Sequence, residues 1–599
     1  MLSNLLFTIP ELRAAYQSGV APVDVIDEIF TRLDAVDDPA IFIHLCDREL
    51  LRKQAMALGA FDPGKALWGI PFAAKDNIDV AGIPTTAACP AYAYTPESDA
   101  FVIAQLRAAG ALMIGKTNLD QFATGLVGVR SPYGAPRNSV DPLVVPGGSS
   151  GGSGVIVGHG IVSFSLGTDT AGSGRVPAAL NNIVGLKPSL GAMSASGVVP
   201  ACRTLDTISI FALTVDDAYA AFDVAAVYDD TDAYAQPIAT NSLHAVPSGL
   251  RIGVPDAKTI EFFGDTIQEQ TFRRDVDHLA KSGAHIVEVD FTPFYDVAHM
   301  LYQGAWVAER YTVIEELLKD DPDALHPVTR QIICHAESLS AADVFRGMYR
   351  LQELKRVAVS ALIELDLLCV PTIPTFYSVE DLEADPITPN SNFGTYTNFV
   401  NLLDMCGIAV PTAPREDGRP GSVTLLARSG QDALTASVAR CFEMNCQRNL
   451  GATSHKAPGT FVLENPAKSD RLELAVCGAH MTELPLNWQL TNRNGTFVRA
   501  AKTSENYRFY ALAGGPPERP GLVWTEGGAS QPIGLEIWSL PLDQVGSFLN
   551  GIPAPLGLGS VELEDGSMVK GFICEARGAI GARDISEFGD WRSYLASKH

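Results

Sequence analysis

Serines stand at both ends of a stretch built largely from small residues, 147–173, which reads GGSSGGSGVIVGHGIVSFSLGTDTAGS. Ser149 lies in the Gly/Ser cluster that opens it, and Ser173 in the turn 168–173 that closes it. Small residues let the backbone approach a bound molecule closely and leave amide N–H groups free to point at it. The plain alternative is a flexible linker. A linker should be polar on both flanks, but this cluster sits between Leu143-Val144-Val145-Pro146 and Val155-Ile156-Val157. A phosphate loop would need Lys where Ser153 stands, and the run after Gly154 breaks a dinucleotide fingerprint. The nucleophile elbow GxSxG is matched from Gly147 to Gly151, a pattern that such a composition also yields by chance. An α/β-hydrolase built on it needs a later acid and then a His. Histidines stand downstream at 244, 278, 285, 299, 326, 335, 455 and 480, none before His480 in a distinctive context.

The elements around this stretch alternate between strand and helix. Residues 66–77, ALWGIPFAAKDN, read as a buried strand delivering Lys75 at its end. A lysine after a strand is usually a solvated turn, but the residues before this one are apolar or small. Residues 9–33 and 47–58 read as helices, 99–109 as a helix and 111–115 as a strand. Strands are predicted at 250–254, 285–289, 367–370 and 423–427, with an amphipathic helix at 265–282. One long helix is predicted over 298–319. Tyr302 and Arg310 lie eight residues apart on it, a little over two turns, on neighbouring faces. Arg310 reads either as a surface ion-pair member or as an anion ligand.

At 599 residues two or more domains are expected. Residues 1–455 form the first, 456–470 a Pro/Gly/Ser-bearing linker, and 471–599 a small β-rich α+β domain of short alternating runs. The formal charge of −25 argues against nucleic acid and anionic membranes as partners. Ten cysteines without a CxxC pair suit reduced thiols, not a disulfide framework or a zinc site, so neither metal nor cofactor is expected. With no signal peptide and no 18-residue apolar run, the expected compartment is the cytoplasm.

Three separated motifs bring Lys75, Ser149 and Ser173 together: GIPFAAKDN at 69–77, GGSSGGS at 147–153 and GTDTAGSGRVPA at 167–178. In order and spacing they resemble the amidase signature family over about three quarters of the chain. The resemblance implies an α/β fold, a large mixed sheet between helical layers. It also implies a Ser-Ser-Lys triad: Ser173 the nucleophile, Ser149 the bridge and Lys75 the base, with a cis peptide between Gly148 and Ser149. The turn Thr170-Ala171-Gly172-Ser173 would supply oxyanion amides. Asp169 would hold that turn, Ser150, Ser153 and Thr168 would be hydrogen-bonding supports, and Arg175 a structural pair. The chemistry is self-consistent. A serine hydroxyl needs a base, and deprotonating an ordinary lysine at neutral pH costs roughly 4.6 kcal/mol. Burial can lower a lysine pKa by about 3–5 units, enough to cover that cost. A bridging hydroxyl can accept and donate at once.

Residues 301–311, 118–134 and the C-terminal segments further resemble the allophanate hydrolases, a branch of that family. The branch implies that allophanate, a urea carboxylate, loses ammonia at Ser173 to give N-carboxycarbamate. Tyr302 and Arg310 match positions holding the substrate carboxylate, a task suited to a planar guanidinium, and Gly125 a loop glycine whose backbone faces the amide. The C-terminal domain is similar to γ-glutamylcyclotransferase-like folds, with residues 476–481, VCGAHM, at the anion-binding loop. Cys477 stands where that group usually has Tyr, which counts against cyclotransferase activity. His480 is the candidate for assisting decarboxylation, against a plain structural role. A homodimer and a functional link to a urea carboxylase are expected. A general amidase, an inert scaffold and a glutamine amidase subunit are the rival classes.

Overall fold

The computed structural model describes residues 2–246, 249–444, 446–457, 471–525 and 531–598. An 11-stranded sheet dominates. Its first half comprises β1 (Phe42–Leu45), β2 (Pro71–Lys75), β3 (Leu112–Thr117), β4 (Phe164–Asp169), β5 (Val184–Lys187) and β6 (Thr207–Ala212). The second half is β7 (Arg251–Pro255), β8 (His285–Val289), β9 (Leu367–Pro371), β10 (Met405–Thr412) and β11 (Gly421–Arg428). Strand order is β1-β3-β2-β4-β6-β5-β10-β11-β9-β7-β8. The sheet is mixed, as expected. β2 runs parallel to β3 and β4, and β7 to β8 and β9, while β4, β6, β5, β10 and β11 pair antiparallel in turn.

The central strands are buried along their whole length, because helices pack on the sheet. Helix Gly151–Gly158 lies against β2, β3, β4 and β6, and helix Asp432–Met444 against β10 and β11. A strand covered on both faces reads as a continuous apolar run rather than an alternating one, as Leu367–Val370 of β9 does. β10 leaves little local signal. Its run MCGIAVPT carries neither strict alternation nor flanking turn signals as clear as those of its neighbours.

The single helix expected over 298–319 is two helices, Thr292–Gln303 and Trp306–Asp320. Gly304, at φ −109° and ψ −160°, leaves the helical region and breaks the run. Glycine is the ordinary residue least costly to take out of a helix. The helical period that placed Tyr302 and Arg310 on neighbouring faces therefore does not apply across the break.

The chain divides into two compact units. The first is Met1–Thr240 with Leu250–Phe461, and the second is Val462–His599 with Asn241–Gly249. Most of the expected linker, residues 458–470, lies outside the described residues. The second unit has its own core, which includes Leu474, Phe497, Phe509, Ile537, Leu540 and Trp591, with Ala245 packed against it. Its strands are β12 (Arg471–Val476), β13 (Thr496–Lys502), β14 (Tyr507–Ala511), β15 (Pro520–Trp524), β16 (Gly534–Pro541), β17 (Leu556–Glu562), β18 (Met568–Cys574) and β19 (Arg583–Asp584). They form a five-stranded sheet in the order β13-β16-β12-β18-β17 and a three-stranded one, β15-β14-β19. With helices Leu542–Leu549 and Trp591–Ala596 the unit is β-rich α+β, as expected.

Candidate active site

β2 carries Lys75 as its last residue, and the parallel neighbour β4 carries Thr168 close to its own end. Both strands are buried, so the lysine amine has no water to turn to. Lys75 is fully buried. Its Nζ lies 2.7 Å from Thr168 Oγ1 and 2.8 Å from Ser149 Oγ. Burial lowers its pKa to about 7, opposed by Asp120, Asp206 and Asp169 and assisted by Arg310. A neutral amine has two N–H donors and one lone pair. With Thr168 accepting one N–H, the lone pair is available to the Ser149 hydroxyl. Thr168 thus touches the Lys75 amine directly, a closer contact than the supporting one expected from sequence.

Ser149 follows a cis peptide with Gly148 and precedes helix Gly151–Gly158. A Cβ on Gly148 would lie 2.0 Å from Asp120 Oδ2, so only glycine fits there. Asp120, which sequence reasoning passes over, organises the loop opposite. Its amide donates to the Ser149 carbonyl at 3.0 Å. Its carboxylate accepts the amides of Gly128 and Arg130 at 2.9 Å each, and of Val127 at 3.2 Å. The loop thereby presents Gly125, whose carbonyl lies 3.5 Å from Ser173 Oγ. Among the described residues no hydrogen bond joins Ser173 to Ser149. The structure brings Lys75 and Ser149 together and leaves Ser173 turned to Gly125, with all three side chains buried.

Ser173 sits in the turn that follows β4. Asp169 holds this turn as expected: its carboxylate accepts the amides of Gly172 at 2.9 Å and Gly174 at 3.0 Å. Arg175 pairs with it through two bonds of 2.9 Å. The four amides expected to serve an oxyanion differ in what they meet here. The Gly172 amide is committed to Asp169, while those of Thr170, Ala171 and Ser173 have no hydrogen-bond acceptor among the described residues. Gly172 has φ +125°, and a Cβ there would meet Thr397 Oγ1 at 2.4 Å, so the turn depends on it being glycine. Thr397 donates to the Ala171 carbonyl at 2.6 Å, and Asn401 to the Asp169 carbonyl at 2.8 Å. Both come from more than 200 residues away and have no local signature. Ser150 and Ser153 are supports, donating to the carbonyls of Thr168 and Leu166.

Arg310 is 1% exposed, so its reading as a surface ion-pair member does not hold. Its guanidinium donates to Thr124 Oγ1 at 3.2 Å, to the Ala123 carbonyl at 3.4 Å and to Tyr302 Oη at 3.5 Å. Its Nε has no partner, and no carboxylate lies within ion-pair distance among the described residues. A buried guanidinium with long bonds and a free N–H has donor capacity left over, the chemistry that binding a small anion requires. The Tyr302 hydroxyl meets Arg310 across the helix break, and the guanidinium lies over the tyrosine ring, 5.2 Å from its centre. A cavity of about 370 Å³ has Tyr302, Tyr295, His299 and Asn398 in its lining, but none of Lys75, Ser149 or Ser173.

In the second unit His480 lines a smaller cavity, of about 100 Å³, with Cys477, Gln489, Arg519 and Phe572. Its Nε2 is 3.0 Å from Gln489 Oε1, and its ring stacks on Phe572 with centres 5.0 Å apart. Burial lowers its pKa, so the ring is neutral at physiological pH. Burial also pushes the Cys477 thiol up to about 12, so it is not a nucleophile. No cluster of His, Cys, Asp or Glu suited to a metal occurs among the described residues, and no described helix is long and apolar enough to cross a membrane.

Residues 24–435 match the family model Amidase, and residues 472–596 match Allophanate hydrolase C-terminal domain. The urea amidolyase of Saccharomyces cerevisiae is 43% identical over 96% of this chain, which spans about a third (32%) of that relative's length. The urea amidolyase of Lachancea kluyveri is 45% identical over 88% of this chain and 30% of its own. The solved allophanate hydrolase of Kluyveromyces lactis superposes with a TM-score of 0.78 at 42% identity, covering 99% of each chain.

Proposed function

Because this chain belongs to the amidase family and carries an allophanate hydrolase C-terminal domain, we propose that it hydrolyses allophanate, releasing ammonia at Ser173. It is a hydrolase of carbon–nitrogen bonds. The similarity to allophanate hydrolase across the whole chain supports the substrate. The observation that carries the reading is Arg310, a buried cation with no acidic partner among the described residues, beside a buried lysine and serine pair.

The substrate carboxylate occupies the guanidinium of Arg310 and the hydroxyl of Tyr302. That anchors the terminal amide over Ser173. Ser173 Oγ leaves Gly125, donates its proton to Ser149 and attacks the carbonyl carbon as Ser149 passes its own proton to neutral Lys75. The oxygen that becomes negative lies against the amides of Thr170, Ala171 and Ser173. Lys75 returns the proton through Ser149 to the leaving nitrogen, and ammonia departs. Water, deprotonated by the same relay, then frees N-carboxycarbamate from Ser173. His480, neutral and in a cavity shared with Arg519, assists loss of carbon dioxide from that dianion. A urea carboxylase, making a urea carboxylate from urea, is the activity that supplies the substrate. The length of the urea amidolyase relatives beyond this chain is consistent with such a link.

The test is ammonia release from allophanate, urea, malonamide and glutamine by the whole chain. Preference for allophanate by two orders of magnitude or more in kcat/KM is expected. Equal rates on malonamide, which lacks a carboxylate, or a preference for glutamine, would replace this reading by a general or glutamine amidase.

A further inference from the structure

The oxyanion turn and the anion clamp are built on different elements, yet one short loop grips both. β4 and β6 run antiparallel with Asp169 opposite Thr207. The same register places Thr170, the first residue of the oxyanion turn, opposite Asp206. The Thr170 hydroxyl donates to Asp206 Oδ1. The rest of that carboxylate is used to close its own loop: Oδ2 accepts the Ala201 amide at 2.7 Å and Oδ1 the Cys202 amide at 3.2 Å. The amides of Leu205 and Asp206 each return to the Cys202 carbonyl at 2.8 Å. Asn401 staples the two segments a second time, donating to the carbonyls of Asp169 and Leu205 at 2.8 Å each.

The other end of the loop holds the helix that carries Arg310. The Cys202 thiol donates to the carbonyl of Trp306, the first residue of helix Trp306–Asp320, at 3.6 Å. Thr204 binds both oxygens of Glu309, the residue before Arg310: its amide reaches Oε1 and its hydroxyl Oε2, each at 2.7 Å. Among the described residues, neither Thr204 nor Glu309 hydrogen-bonds through its side chain to Lys75, Ser149, Ser173 or Arg310.

We infer that residues 201–206 are a positioning strut that fixes the distance between the oxyanion amides and the Arg310 clamp, with Asp206 pinning one end and Thr204 with Glu309 the other. Within the proposed reaction this sets the span between the carboxylate and the scissile amide of one substrate. The strut holds whichever amide the enzyme cleaves, so it can fail while the substrate reading stands, and the reverse.

Three variants of the full chain test it: Thr170→Val, Thr170→Ser and Glu309→Ala. Two readouts are taken, kcat and KM with allophanate, and the rate at which a small alkyl fluorophosphonate labels Ser173. The second needs oxyanion stabilisation but no carboxylate, so it remains informative if allophanate is not the substrate. Thr170→Val should slow labelling and lower kcat about tenfold or more, short of the roughly 10²–10³ lost when an oxyanion donor itself is removed. Thr170→Ser, which keeps the hydroxyl, should recover most of the labelling rate and kcat that Thr170→Val loses. Glu309→Ala should raise KM for allophanate and also slow labelling about threefold or more, although it lies outside the oxyanion turn. Equal labelling rates for Glu309→Ala and the native enzyme, at unchanged melting temperature, would overturn the strut. So would Thr170→Val and Thr170→Ser behaving alike.

Discussion

At the scale of single residues, function here depends on what burial does to two cations. Lys75 has lost its water and gained only hydroxyl partners, so its neutral form is accessible near pH 7. A base works in its deprotonated form, so the sign follows directly: the active fraction grows as pH rises through about 7 and is complete above it. We expect kcat/KM to climb with pH along a single limb centred near 7 and then level off. Lys75→Ala should lower kcat by about 10²–10⁴-fold, the usual worth of a general base. A flat profile from pH 5 to 9 would remove Lys75 from that role. Arg310 keeps its charge because a guanidinium does so even when buried, and no carboxylate lies within ion-pair distance of it among the described residues. Arg310→Lys keeps the charge and loses the fork. Steady-state kinetics should show KM for allophanate raised about tenfold or more with kcat much less affected; unchanged KM would dissolve the clamp.

At the scale of elements, strand ends and helix starts do the positioning. β2 and β4 end side by side, which puts Lys75 and Thr168 within reach of each other. The helix beginning at Gly151 starts two residues after Ser149, with Ser150 as its N-cap. Elements further from the site can be tested through their own buried charges. Asp217, on helix Val215–Ala225, accepts the amide of Ile9, the first residue of helix Ile9–Gln17, through Oδ1 at 3.0 Å. Its Oδ2 is buried without a partner, and burial pushes its pKa up to about 8 from 3.8. A carboxyl raised on folding contributes stability that is complete below the unfolded value, declines as pH rises, and is gone above the folded one. Asp217→Asn cannot ionise and keeps a carbonyl for the Ile9 amide. The melting temperature of the variant minus that of the native protein should therefore increase between pH 4 and pH 8.5. Parallel melting curves across that range would show that Asp217 does not titrate as its burial implies.

At the scale of the whole molecule, each of the two compact units carries a core of its own and a candidate site. Its charge of −25 is no obstacle to an anionic substrate, because Arg310 and Arg130 are buried cations placed where the surface charge is not. Arg130 binds the carbonyls of Thr124 and Pro386 and has no acidic partner within ion-pair distance among the described residues. A chain ended after residue 457 should keep ammonia release within about twofold of the full chain, while carbon dioxide release lags behind it. His480→Ala in the full chain should show the same lag. Simultaneous release of both gases from either variant would make the second unit a domain without chemistry in this reaction.

The three motifs around Lys75, Ser149 and Ser173, most strands of the large sheet and the change to a β-rich C-terminal region could be read from local sequence. Each leaves a mark within about ten residues: an apolar run, a small-residue turn or a helical period. Tertiary structure decided the rest. It made Thr168 a partner of Lys75 and tied the Gly172 amide to Asp169. It also brought Tyr302 to Arg310 across a broken helix. Asp120, Asp206, Thr397 and Asn401 were silent in the sequence because what they do is fixed by partners up to 232 residues away. A hydrogen bond has no periodicity, so only the sheet register and the packing of the loops could reveal which buried polar groups meet.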